Sequence, residues 1–313
     1  MNVKTVSVVV PCFNEEANVP LLHARLSAVF AALPYMLELV LVNDGSRDGT
    51  EAAITRLAQA DARVVGVMLS RNFGHQAATT AGLDQATGDA VVLIDADLQD
   101  PPEVIAEMLK VWEQGFDVVY GMRAARVGET FMKKITAKLF YRMLRAMTSI
   151  EIPLDTGDFR LMTRPVVEAV KRMPEHARFL RGMVSWVGFK QTGVLYERAS
   201  RAHGETKYPY RKMIKFAWDA ITSFSALPLK VATWIGFAVS LASLGMMSWS
   251  VLARLLQLPG LLPGWTSQFV AMLFLGGVQL FFLGMIGEYV GRIFDEVKGR
   301  PLYVVKHVSR TTA

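Results

Sequence analysis

Two stretches of this chain carry no charge at all: Val231 to Ala253 and Phe269 to Gly287. Uncharged apolar runs of that length have few homes in water. At ~1.5 Å rise per residue the first would be roughly 35 Å long as a helix, enough to cross a bilayer. The link between them, Arg254 to Gln268, holds Pro259, Gly260, Pro263 and Gly264 but a single basic residue. The flanks, Lys207 to Lys230 and Arg292 to Arg310, are rich in Lys and Arg. The positive-inside rule therefore predicts both long ends in the cytoplasm and the link outside. The alternative is a hairpin buried inside a soluble protein. Gly287 and Gly291 stand at GxxxG spacing, which permits close packing within the hairpin or between subunits.

The rest of the chain is not membrane-like. Of 313 residues, 52% are hydrophobic, and the mean hydropathy of +0.28 is too high for an average soluble enzyme but too low for a bundle of spans. That leaves room for one soluble domain of ordinary size. The net charge of +6 is concentrated beside the apolar runs, which points to an anionic membrane surface and not to nucleic acid. Cys12 is the only cysteine, so no internal disulfide and no cysteine zinc site is possible. The N-terminus enters a strand without a signal-peptide core, so the first domain is expected to stay in the cytoplasm.

That domain reads as alternating strands and helices. Strands are predicted at Val6–Val10, Glu38–Asn43, Val64–Leu69, Ala90–Ile94 and Asp117–Tyr120. Helices are predicted at about 16–32, 48–60 and 75–86, with a fourth opened by Pro101 and Pro102. The alternation predicts an α/β fold with a parallel sheet covered on both faces, its ligands at the C-terminal strand ends. Two further segments, about 130–148 and 207–226, place Lys and Arg beside apolar residues at helical spacing. They read as amphipathic helices at a membrane interface, or as ordinary surface helices.

The chemistry is concentrated after the strands. Asp95-Ala96-Asp97 follows a buried-strand pattern, and alternate residues of an extended chain point the same way. Two such carboxylates suit Mg²⁺ or Mn²⁺, ions that commonly bridge a diphosphate to a protein. Pro11, Asn14 and Glu15 after the first strand, with Asp44 after the second, offer polar groups for a base and ribose. Arg71 follows the third. Neither a GxGxxG dinucleotide loop nor a Walker A loop occurs. Each cluster has a plainer reading as loop capping.

Taken in order, Val8 to Glu16, Val42 to Thr50, Arg71 to His75 and Asp95 to Asp100 resemble an inverting family 2 glycosyltransferase with the GT-A fold, a Rossmann-like nucleotide-sugar-binding domain. Within it the chain is similar to the polyprenyl-phosphate glycosyltransferases, the dolichol-phosphate mannose synthase-like group, and most of all to the GtrB-type branch with its C-terminal two-helix transmembrane hairpin. The resemblance runs from about residue 5 to about 305. It implies that Asp95, Asp97 and Gln99 serve the metal and diphosphate, and that Pro11, Asn14, Glu15 and Asp44, with Arg71 nearby, serve the nucleotide. Asp158 falls on the acceptor side, where the branch proposes a catalytic base although the mannose synthases show serine. Arg201 matches a flexible catalytic loop. Arg123, Arg126 and Lys207 fall near the acceptor phosphate. A homotetramer is implied as well.

The resulting expectation is a GT-A domain over 1–205, a juxtamembrane helix over 206–228, two transmembrane helices over 229–291 and a basic cytoplasmic tail over 292–313. The reaction expected is metal-dependent, inverting transfer of a hexose, glucose from UDP-glucose, to a polyprenyl phosphate on the cytoplasmic face of the inner membrane. The alternatives are another donor (mannose, N-acetylhexosamine or aminoarabinose type) and a non-catalytic membrane scaffold that binds a nucleotide sugar.

Overall fold

The computed structural model describes residues 3–123, 156–176, 178–197, 227–256 and 265–311. They divide into two units, Met1–Pro209 with Pro301–Ala313, and Tyr210–Arg300.

The first unit is built on an eight-stranded sheet. Its first half follows the predicted alternation: β1 (Thr5–Cys12), α1 (Asn18–Ala31), β2 (Met36–Asn43), α2 (Thr50–Ala60), β3 (Val64–Leu69), α3 (His75–Gln85), β4 (Ala90–Leu93), α4 (Val104–Glu113) and β5 (Val118–Arg123). Then come β6 (Thr156–Thr163), α5 (Arg164–Lys171), α6 (Leu180–Trp186), β7 (Gln191–Tyr196) and, from the far end of the chain, β8 (Val305–Ser309). The strand order is β7-β5-β6-β4-β1-β2-β3-β8.

Side-chain alternation explains why both faces are covered. Val6, Val8 and Val10 of β1 enter one buried cluster with Leu22, Leu26, Ile54 and Met108 from the helices on that side. Val9 enters the other, with Ala78, Leu83, Val166 and Met183. Each fully buried Val or Leu contributes roughly 1.5–3 kcal/mol of apolar transfer. The buried polar residue of β1, Ser7, is satisfied: its Oγ donates to Glu38 Oε2 at 2.5 Å and accepts the Gly88 N–H at 2.8 Å.

The sheet departs from the all-parallel expectation in two places. Strand β6 lies antiparallel between β4 and β5. The basic tail expected over 292–313 is divided, because β8 closes the other edge antiparallel to β3. Neither strand has an apolar signature. Arg160 is buried in the middle of β6, and β8 reads Val-Lys-His-Val-Ser, a basic sequence of the kind that suits an edge strand.

The second unit contains α7 (Leu227–Leu255) and α8 (Trp265–Val297). Within α8 the stretch Phe274–Val297 is long and apolar enough to cross a membrane; the apolar stretch of α7, Ala232–Met246, is shorter than the span expected there. Large apolar side chains such as Trp234, Phe237, Leu241, Met272, Phe281 and Leu283 stand more than half exposed. Among the described residues nothing lies within 4 Å of a methyl group built on Gly276, Gly277, Gly284, Gly287 or Gly291. Among the described residues, packing within the hairpin does not use the glycine faces. The segments about 130–148 and 207–226 lie outside the described residues.

Candidate functional site

Strands β1 to β4 are parallel, so their carboxyl ends deliver four loops to one edge of the sheet. The first two are laced together. Asn14 adopts φ 57°, a left-handed conformation that asparagine tolerates. Its N–H donates to Ser46 Oγ at 3.0 Å, and its Oδ1 accepts the Arg47 N–H at 2.9 Å. The Glu15 N–H donates to Thr50 Oγ1 at 2.9 Å. Asn14 thus fixes the loop and does not line the cleft.

The third loop is gripped by Asp44. Its carboxylate accepts the N–H groups of Phe73 at 2.7 Å and Gly74 at 3.0 Å and the Asn72 Nδ2 at 3.0 Å. Burial pushes the Asp44 carboxyl up from its usual range, against the opposing pull of those two backbone donors. The fit demands a glycine next door. Gly45 has φ +63°, and a methyl group there would sit 2.4 Å from the Arg71 carbonyl carbon and the Asn72 nitrogen. Arg71 itself stacks over the Phe73 ring at 4.1 Å and donates to the Asn72 carbonyl.

The fourth loop carries the acidic motif. Strand β4 ends at Leu93, so Asp95 and Asp97 converge through a turn and not by strand alternation as expected. Both line a cleft of about 410 Å³ with Pro11, Glu15, Asp44 and His75. The loop is held under strain: Leu98 has φ 59° although its side chain is buried. The Gln99 N–H donates to Asp97 Oδ1 at 3.1 Å, so its backbone positions the motif. Burial pushes the Asp95 carboxyl up to about 6, with Asp158, Asp100 and Asp97 adding to it and His75 opposing. Among the described residues no three His, Cys, Asp or Glu side chains converge as a closed metal cage. Two cleft carboxylates in a crowded, anionic pocket fit instead a divalent ion that keeps most of its sites for substrate phosphate oxygens and water.

Asp158 reaches this site from β6. Its Oδ2 lies 3.2 Å from His75 Nε2, and His75 Nε2 is 3.7 Å from Asp95 Oδ1. Its Oδ1 accepts from Arg181 Nε at 2.7 Å. Burial alone would favour the protonated acid, yet the His75 hydrogen bond and the Arg181 and Arg160 charges hold Asp158 well below the usual carboxylate range. The same contacts with Asp158 and Asp95 push His75 up despite its burial. Arg160 is pushed down to about 10 by complete burial, with Asp158 pulling the other way. Its guanidinium donates to the carbonyls of Gly157 and Asp158.

Sequence reasoning brought Pro11, Glu15, Asp44, Asp95 and Asp97 to one cleft, with Asp158 joined through His75. Arg123 ends β5 as a brace: its Nη2 is 2.8 Å from where a Gly157 methyl would stand, and its buried Nε has no hydrogen-bond partner among the described residues. Arg126, Arg201 and Lys207 lie outside the described residues. Four participants were missed. His75 closes a recognised motif but received no role, and Arg181 and Gln76, whose Nε2 donates to Asp158 Oδ2 at 3.4 Å, are distant in sequence from Asp158. Tyr196, whose hydroxyl donates to buried Asp100 at 2.5 Å, had no signal beyond its place at a strand end.

Comparison with known proteins adds to this geometry. The model described as glycosyl transferase family 2 matches residues 7–171, and that described as the GtrB C-terminal hairpin matches 227–293. An uncharacterized glycosyltransferase of Synechocystis sp. is 50% identical over 299 residues, covering 96% of this chain and 94% of its own. A prophage bactoprenol glucosyl transferase homolog of Escherichia coli is 42% identical over 305 residues, covering 97% and 99%. The bactoprenol glucosyl transferase of Shigella phage SfII is 43% identical over 305 residues, covering 97% and 98%.

Proposed function

Because the chain belongs to glycosyl transferase family 2 and carries a GtrB-type hairpin, we propose that it moves glucose from UDP-glucose to a polyprenyl phosphate at a membrane surface. The observation that carries the reading is the convergence of Asp44, Asp95 and Asp97 on one cleft in a chain that also holds a membrane-length helix. A phosphate oxygen of the acceptor attacks the anomeric carbon from the face opposite the donor diphosphate. The bond from that carbon to the diphosphate breaks, and the nucleoside diphosphate leaves with the electron pair.

Asp95 and Asp97 would hold the Mg²⁺ or Mn²⁺. When bound, the ion offsets the negative charge of the departing diphosphate. Asp44 keeps the loop of Asn72 to Gly74 pressed against the nucleotide end of the cleft. A phosphate monoester with a second pKa near 6 is already largely dianionic at neutral pH. It needs placement more than proton removal. Asp158, held ionised by its contacts with His75 and Arg181, is a poor proton acceptor and a good anchor for both side chains. Its part in this reading is to orient them toward the acceptor, with Arg123, Arg126, Arg201 and Lys207 completing the phosphate side.

The reading extends to a multi-pass protein of the inner membrane with its catalytic domain in the cytoplasm and a homotetramer as its assembly. Sheet strands that both precede and follow α7 and α8 in the chain support an even number of crossings, and the basic flanks support the cytoplasmic side. The test is incubation of the purified protein with Mg²⁺, polyprenyl phosphate and a panel of nucleotide sugars, followed by mass analysis of the lipid. A hexosyl polyprenyl phosphate formed with UDP-glucose is expected. No glycolipid with any donor would overturn the enzyme, and a different sugar would overturn the donor.

A further inference from the structure

Residues beyond 293 fall outside both matched regions, yet they return to the sheet next to the donor cleft. Strand β8 pairs with β3 through Gly66 with Ser309, Val67 with Val308, Met68 with His307 and Leu69 with Val305. The ladder then continues one residue into the active-site loop, because the Ser70 N–H donates to the Val304 carbonyl at 2.9 Å. Tyr303 and Val305 pack on the same apolar cluster as Phe73. The Tyr303 hydroxyl donates to the carboxylate of Asp84 on α3, the helix that His75 begins. Arg310 reaches Gln85 Oε1 at 3.4 Å on that same helix, while Lys306 pairs with Glu51 at 3.0 Å and Thr311 bonds the Ala58 carbonyl at 2.6 Å on α2.

The loop Ser70 to His75 is therefore clamped twice. Asp44 holds the N–H groups of Phe73 and Gly74 from the cleft side. The C-terminal segment holds Ser70 at the loop's entry and shares the packing beneath Phe73. An edge cap alone would need only the β3 ladder; here the contacts extend past β3 into the loop and onto α3.

We propose that Tyr303 to Arg310 is a positioning element of the donor site, which sets the loop Ser70–His75 against the nucleotide. The proposal rests on the reading of that cleft as a nucleotide site. In this picture the segment that follows the membrane hairpin helps to shape the pocket for the soluble substrate, and Tyr303 and Val304 are its principal contacts.

The experiment compares the full-length protein, a truncation ending at Arg300 and the Tyr303→Phe variant, all in detergent, by amide hydrogen exchange and by UDP binding with Mg²⁺ present. In the truncation the Ser70, Phe73 and Gly74 amides should exchange at least about tenfold faster while those of β1 and β2 keep their protection. UDP should bind about tenfold more weakly for want of a preorganised loop, with the KM for polyprenyl phosphate unchanged. Tyr303→Phe should move both readouts in the same direction by less. Unchanged exchange at those three amides overturns the proposal, as does faster exchange with unchanged UDP affinity. If the truncation fails to fold, Tyr303→Phe decides by the same two readouts. If UDP does not bind the unaltered protein, the nucleotide reading falls, and the exchange arm still decides whether the segment braces the loop.

Discussion

The donor cleft and the hairpin solve opposite problems with opposite means. Around the cleft nearly every loop is tied by directed bonds: Asn14 to Ser46 and Arg47, Glu15 to Thr50, Asp44 to Phe73 and Gly74, Gln99 to Asp97. In the hairpin, aromatic and aliphatic side chains stand exposed, and among the described residues nothing meets the glycine faces. One region gains its shape from internal hydrogen bonds; the other presents an apolar surface of the kind that suits a membrane. Substitutions should accordingly be punished by geometry in the first and by polarity alone in the second.

The largest effect should come from Asp97→Asn. Losing one charge in the cleft should lower kcat by about 10²–10³-fold, the scale of a lost transition-state electrostatic contact, with the melting temperature unchanged. Full turnover in that variant would remove the metal assignment. Next is Leu280→Arg at an exposed position of α8. Insertion assays should register about 2.5–3.5 kcal/mol against the span, while UDP affinity stays the same; no insertion cost would mean that this face does not meet lipid.

Gly45→Ala carries the contrast into the loops. A φ of +63° and the 2.4 Å approach to Arg71 and Asn72 predict a loss of about 1–3 kcal/mol in denaturant titration, together with weaker UDP binding. The same change at Gly284, where nothing among the described residues lies within 4 Å of the added methyl, should leave both unaltered. Asp158→Asn is expected to cost less than about tenfold in kcat and to raise the KM for the acceptor, whereas loss of a general base would cost about 10²–10⁴-fold. A loss in that upper range restores the base.

The smallest effect is a control away from the cleft. The Arg63 hydrogen bonds, with His23 assisting against partial burial, hold Asp61 far below the usual carboxylate range. A depressed native pKa stabilises the fold above the unfolded pKa, and that gain is lost as pH falls through the native value. Asp61→Asn should thus destabilise the first unit by less than about 1 kcal/mol at pH 7. The gap from wild type should begin to close below about pH 4, near the unfolded carboxylate value, and narrow further as pH falls toward the native one. A gap that widens in acid would reverse the sign of the argument.

Strands β1 to β4 were legible because their apolar runs are continuous and end in polar turns. The acidic motif was legible for the same reason, although the turn that unites its carboxylates was not. Strand β6 escaped because Arg160 interrupts its pattern, and a buried arginine reads as surface until Asp158 and the carbonyls that satisfy it are seen. Strand β8 escaped because its partner lies more than two hundred residues earlier, where no local period records it. His75 and Arg181 acquire meaning only through Asp158, which the fold sets between them.

Cys12 offers a practical consequence. Its thiol is almost wholly buried, its Sγ lies 3.5 Å from the Val10 carbonyl, and burial, with Glu15 and Asp48 nearby, keeps the proton on sulfur. Alkylating dyes should pass it by. The native sequence is therefore ready for single-site spectroscopic labels, with introduced cysteines reporting from loop or span against a silent background.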